Sequence, residues 1–190
     1  MIYPNKHTLT HIDVIDDFLE PELCDLLIKH IDDTCVEDEN VSNPATNVSC
    51  KSATLDGNNY KIKQIIDVVK TNLNEKILNK SRLSVIKYID ELCIRKIHGK
   101  TRLHCDGPGG HMDKSHSYKC DELRVLTLII ALNSDYDGGE FIFPDQNVIV
   151  KLKKGQAITF PPYWTHPHLV TSPENGTFRY TINTWIHGNE

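Results

Sequence analysis

Two periodicities divide the chain. As far as about residue 80 the apolar positions recur at helical spacing, and beyond it they come in short runs. Residues 13–33, DVIDDFLEPELCDLLIKHIDD, open with an acidic stretch and place Pro21 where a helix can start, since the missing N–H is not needed in a first turn. Leu23, Leu26, Leu27 and Ile31 then predict an amphipathic helix. Residues 36–59 are rich in Asn, Ser, Asp and Thr and read as an irregular surface connection. A second helix is expected from about Tyr60 to about Leu78, with Ile62, Ile65, Ile66, Val69 and Leu73 on one face.

After Ser81 the texture changes to β-branched and aromatic runs split by Gly, Asn, Asp and Pro. LSVIKYI, CIRKIH, RLHCD, RVLTLIIAL, GEFIF, VIVKL, QAITF and FRYTINTWI are the expected strands. Helices followed by short strands predict an α+β, mainly β chain built around a sandwich or barrel. The expected organisation is one domain over 1–190, helical over about 13–80, with its β core over about 81–188. Residues 107–122, GPGGHMDKSHSYKCDE, form a long polar loop and a lid candidate.

Composition narrows the function classes. The 190 residues carry 21 Lys+Arg against 26 Asp+Glu, a net charge of -5, which disfavours a nucleic-acid binder. No run of about 18 apolar residues predicts a membrane span. The start lacks the apolar run of a signal peptide, so the expected location is cytoplasmic. The six cysteines form no CxxC pair and are expected as free thiols. The sequons at Asn40, Asn47, Asn79 and Asn175 then carry no message.

Of the ten histidines, seven fall in the C-terminal half. The central fragment is His104–Cys105–Asp106. On a strand, positions i and i+2 share a face, so one imidazole and one carboxylate would project together while Cys105 turns away. These are two corners of a metal site, and a third ligand must come from another strand. Two histidines and a carboxylate on one face suit non-haem Fe(II) and leave positions open for other ligands.

The order along the chain adds specificity. After HxD come Arg124-Val-Leu-Thr127, GGEFIFP from Gly138, Lys154-Gly155 before QAITFPP, then WTHPHLV, GTFRY and Trp185-Ile-His187. This ordered set resembles the iron(II)/2-oxoglutarate-dependent dioxygenases, most closely the prolyl 4-hydroxylase-like branch. The resemblance covers roughly residues 13–188, because DDFLEPELCDLLI is similar to the N-terminal helix of that branch. It implies a double-stranded β-helix (jelly-roll, cupin-like) with flanking helices.

The resemblance implies His104 and Asp106 as iron ligands. Both His166 and His168 stand in the segment of the distal histidine. The reading takes His168, eleven positions before Arg179, and leaves His166 as the alternative. Arg179 resembles the basic residue that grips the distal carboxylate of 2-oxoglutarate, Thr127 would donate its hydroxyl to the same carboxylate, and Trp185 would lie in the co-substrate pocket. Collagen-type members carry Lys where this chain has Arg179. The tyrosine usual before HxD is replaced by Ile97 or shifted to Tyr88, which leaves one co-substrate hydrogen bond without a donor.

The implied reaction takes Fe(II), 2-oxoglutarate and O2, with ascorbate as an admissible reductant. It hydroxylates a C–H bond and releases succinate and CO2. A peptidyl residue, proline first, is the expected substrate. The alternatives are a small molecule, a free amino acid or a nucleobase, and, from another class, an inactive cupin-like binding domain.

Other polar residues receive plainer readings. Arg124 is expected as an ion pair at the end of the sheet, with substrate or loop binding as the alternative. Gly138–Gly139 is expected as a hairpin turn, and Tyr163 and Trp164 as pocket wall or core. His98 and His187 are expected to be hydrogen-bonded strand residues. His111, His116 and Cys120 read as loop residues, with a zinc site involving Cys105 as the lesser alternative.

Overall fold

The computed structural model describes residues 10–34, 50–79, 86–107, 111–112, 118–119 and 123–188. Two helices lie against the largest of three β-sheets. Helix α1 (Pro21–Thr34) begins at the proline as expected and buries Cys24, Leu27 and Ile31. Leu26, expected on the same face, is 46% exposed. Helix α2 (Tyr60–Leu73) starts where the Asn59 side chain accepts hydrogen bonds from the backbone N–H groups of Lys61 and Ile62. It buries Ile62, Ile65, Val69 and Leu73, then continues as a π-helical turn over Asn74–Leu78.

The strands are β1 (Asp13–Ile15), β2 (Cys50–Thr54), β3 (Ile86–Ile89), β4 (Cys93–Ile97), β5 (Thr101–His104), β6 (His111–Met112), β7 (Tyr118–Lys119), β8 (Arg124–Ala131), β9 (Phe141–Phe143), β10 (Val148–Val150), β11 (Ala157–Phe160), β12 (His168–Val170) and β13 (Arg179–Gly188). The large sheet runs β1-β11-β8-β13-β4-β2, with β3 also paired to β13. The small sheet runs β10-β9-β12-β5. This is the mainly β, two-sheet jelly-roll that the ordered motifs implied.

Five strands lie outside the expected runs: β6 and β7 in the lid-candidate loop, β12 at His168–Val170, and β1 and β2. β1 falls in the acidic lead-in to α1 and pairs with β11. β2 falls in the Asn-rich connection and pairs with β4. Neither carries an apolar run long enough to declare itself; each is ordered by the ladder of its neighbour. The lead-in is pinned at Gly155, whose carbonyl accepts from the N–H groups of Phe18 and Leu19. Gly155 has φ +81°, and a Cβ there would stand 2.5 Å from the Leu19 carbonyl oxygen.

Gly138 and Gly139 both take positive φ, as a tight turn requires. They do not join paired strands, however. β8 belongs to the large sheet and β9 to the small one, so the turn carries the chain between layers. In the lid-candidate loop, β6 and β7 pair with each other, while His116 and Cys120 lie outside the described residues. No described helix is long and apolar enough to cross a membrane.

Alternation along β13 sorts the interior. Tyr180, Ile182 and Ile186 join the apolar cluster that contains Leu27, Ile31, Ile65 and Val69 of the helices. Arg179, Thr181, Asn183 and Trp185 therefore face the other way, toward the space between the sheets. Thr181 and Asn183 pair with Ala131 and Ile129 of β8, which pack with Phe141 and Phe143 of the small sheet.

Candidate metal and carboxylate site

The space between the sheets holds a cluster of three potential ligands. His104, Asp106 and His168 each bring one ligand atom to within 4.8 Å of the others. β12 pairs with β5 so that His168 stands directly opposite His104, and their rings lie 4.5 Å apart between centroids. Asp106 follows β5 and closes the triangle. Its Oδ1 lies 3.3 Å from Nε2 of His104 and 4.0 Å from Nε2 of His168.

Backbone carbonyls orient both rings. Nδ1 of His104 donates to the Arg102 carbonyl at 2.8 Å, and Nδ1 of His168 donates to the His166 carbonyl at 3.2 Å. Each ring therefore turns its Nε2 inward, the orientation a metal ligand needs. Phe143 and Phe160 pack around His168, which is 2% exposed.

His166 and His168 make different contacts. Nε2 of His166 donates to the Thr10 carbonyl at 2.7 Å, and its Nδ1 accepts from the Thr165 hydroxyl at 2.9 Å. Both of its nitrogens are occupied, so His166 ties down the N-terminal lead-in while His168 joins the cluster.

Electrostatics suit a cation in the centre. Burial alone would raise the Asp106 pKa, but the hydrogen bond to His104, the nearby His168 and the Thr127 hydroxyl hold it well below the usual carboxylate range. Burial lowers the His168 pKa, against the pull of Asp106 and with help from His104. For His104, burial also acts downward, and the hydrogen bond with Asp106 leads the opposing effects that raise its pKa overall.

Thr127 turns toward Asp106. Its hydroxyl donates to Oδ2 of Asp106 at 2.6 Å. This bond orients the carboxylate. Arg124 makes the ion pair expected at the end of the sheet, and further contacts besides. Its guanidinium lies 3.9 Å from Oδ2 of Asp90, donates to the Asp106 carbonyl at 3.1 Å and covers the Trp185 ring at 3.9 Å. It thereby holds the chain that carries Asp106. His187 bonds to Asp90 and stacks on Tyr88, the strand-pairing role expected of it. Trp164 is 82% exposed and belongs to neither pocket wall nor core.

Arg179 is 4% exposed, with its guanidinium above the Phe141 ring at 5.1 Å. Its Nε and Nη1 are buried without a hydrogen-bond partner, and so is Nε1 of Trp185 on the same strand face. Burial pulls the Arg179 pKa down to about 10, with the neighbouring Tyr136 opposing this and Arg95 adding to it. A buried cation without a counter-ion is costly, and a carboxylate placed there would satisfy it through paired N–H donors. Sequence reasoning passed over Arg95. The signal available for it was the alternation of CIRKIH, which sets Arg95 on the opposite face from Ile94.

Comparison with known proteins agrees with this arrangement. Residues 100–187 match the family model described as the 2OG-Fe(II) oxygenase superfamily. A protein of Acanthamoeba polyphaga mimivirus, provisionally named a prolyl 4-hydroxylase, is 23% identical over 187 residues, covering 91% of this chain and 72% of its own length. The viral collagen prolyl hydroxylase of Paramecium bursaria Chlorella virus-1, solved as its 2OG complex, superposes with a TM-score of 0.66 at 22% identity, covering 94% of this chain and 97% of that one. A prolyl hydroxylase of Trichoplax adhaerens, solved with a peptide fragment of hypoxia inducible factor, gives a TM-score of 0.63 at 17% identity, covering 95% and 84%.

Proposed function

We propose that this chain is a 2OG-Fe(II) oxygenase of the prolyl 4-hydroxylase-like kind and that it hydroxylates a peptidyl residue, with proline the first candidate; the family match over residues 100–187 and the prolyl 4-hydroxylase-like relative support this reading. His104, Asp106 and His168 would hold Fe(II), and Arg179 would hold the distal carboxylate of 2-oxoglutarate. When bound, Fe(II) with 2-oxoglutarate and O2 supplies the oxidation, in which the co-substrate becomes succinate and CO2 and one oxygen atom enters a C–H bond.

The chain's own residues supply geometry. The carbonyls of Arg102 and His166 orient the rings of the two histidines, and Thr127 and Arg124 hold Asp106 and its backbone. Phe143 and Phe160 exclude water from the side of His168. The intact carboxylate Asp106 favours hydroxylation over halogenation, because it fills the position that a halide would need. The peptide substrate is supported by the collagen- and peptide-linked names of the two structural relatives. The whole chain, 1–190, is taken as one catalytic domain.

The observation that carries this reading is the unpaired, buried Arg179 in the same intersheet space as the His–Asp–His cluster. Incubation of the Fe(II)-loaded protein with 2-oxoglutarate, ascorbate and a panel of proline-containing peptides tests it. Mass spectrometry should show a peptide gaining one oxygen, with succinate formed in step. Succinate formation without peptide oxidation would move the substrate to a small molecule. Absence of any 2-oxoglutarate turnover, together with unchanged iron affinity in His168→Ala, would leave a binding domain only.

A further inference from the structure

A second arginine stands on the sheet face that carries Arg179. Arg95 sits on β4 opposite Thr181 of β13, two residue pairs inward from the Ile97–Arg179 pair. Ile94 is buried in the cluster that includes the helices, so Arg95 projects to the opposite face, the face of Arg179 and Asn183. On its other side Arg95 pairs with Ser52 of β2.

Like Arg179, Arg95 has a buried Nε without a hydrogen-bond partner. The two cations are close enough for Arg95 to disfavour the charge on Arg179. Tyr136 and Cys50 are the other titratable neighbours that act on Arg179, and both are neutral at ordinary pH. Among the described residues no carboxylate forms an ion pair with either guanidinium.

Two neighbouring cations with buried, unused N–H donors and no acid between them describe a site for an anion. Dispersed surface arginines would instead be solvated or paired. One face of one sheet also supplies Nε1 of Trp185 as a further unused donor.

We propose that Arg95 is a second cation of the co-substrate pocket, closing with Arg179 on the distal carboxylate of a dicarboxylate. This rests on reading the site as one for 2-oxoglutarate, and it assigns the selection for a dicarboxylate over a monocarboxylate to a pair of guanidiniums. The same pair holds dicarboxylates that lack the keto group, succinate and glutarate among them, so product and co-substrate compete for it.

The test is calorimetric titration of the Fe(II)-loaded protein without oxygen, using 2-oxoglutarate, pyruvate and glutarate, for wild type, Arg95→Met and Arg95→Lys. Arg95→Met should weaken 2-oxoglutarate and glutarate about 10- to 100-fold, the effect of removing a charge-assisted contact. Pyruvate, which lacks the distal carboxylate, should change by less than about twofold, and Arg95→Lys should restore most of the loss. Unchanged 2-oxoglutarate affinity in Arg95→Met overturns the proposal. Equal losses for 2-oxoglutarate and pyruvate also overturn it, since they place the defect at the metal centre or in the fold. If wild type binds neither keto acid, the reading of the site as an oxygenase centre fails, and the glutarate arm still decides whether Arg95 holds a dicarboxylate.

Discussion

The two faces of β13 were built for opposite purposes from one alternating sequence. Toward the helices, Tyr180, Ile182 and Ile186 meet apolar partners and bury nearly everything they carry. Toward the small sheet, Arg179, Thr181, Asn183 and Trp185 stand in a confined space where charges and donors remain unused. The first face contributes stability. The second incurs a desolvation cost that a bound anion, as proposed, would offset.

Substitutions can break this comparison. Asp106→Ala, at the mouth of the polar face, should cause the largest change, lowering turnover on the order of a thousandfold or more. Iron titration should show weakened binding, and the thermal midpoint without metal should fall little. Ile182→Ala, on the apolar face, should reverse that profile. A chemical denaturation curve should show a loss of about 2–5 kcal/mol, with kcat per folded molecule unchanged.

Arg179→Met sharpens the contrast further. It removes a buried cation with no acidic partner, so stability without ligand should hold or rise, while 2-oxoglutarate affinity falls about 100-fold. A drop in stability of the size seen for Ile182→Ala would show that Arg179 is structural. Thr127→Val should give the smallest effect. Its hydroxyl orients Asp106, so iron affinity should weaken about tenfold, with 2-oxoglutarate affinity at saturating iron preserved.

Much of the β core was legible because strand and helix periodicities are local. The eight expected runs correspond to observed strands, and α2 begins at its expected residue. β1 and β2 were not legible. Asp13–Ile15 and Cys50–Thr54 have no pattern that sets them apart from connections, and they become strands because β11 and β4 offer open edges. Likewise, the Gly138–Gly139 turn was visible as a turn, but not as a passage between sheets.

For the site, the sequence alone determined the chemical inventory: the HxD fragment, the distal pair His166 and His168, and an arginine downstream of them. Residue types and spacings carry that information because strand alternation is a property of consecutive residues. Tertiary structure decided which members meet. Pairing of β12 with β5 put His168 opposite His104, and the Thr10 carbonyl claimed His166. Packing of Asp106 against β8 gave the Thr127 proton to a carboxylate, and the register of β4 on β13 set Arg95 beside Arg179. Register and the contacts between sheets join residues far apart in the chain, and no local pattern encodes which of two neighbouring side chains a distant carbonyl will occupy.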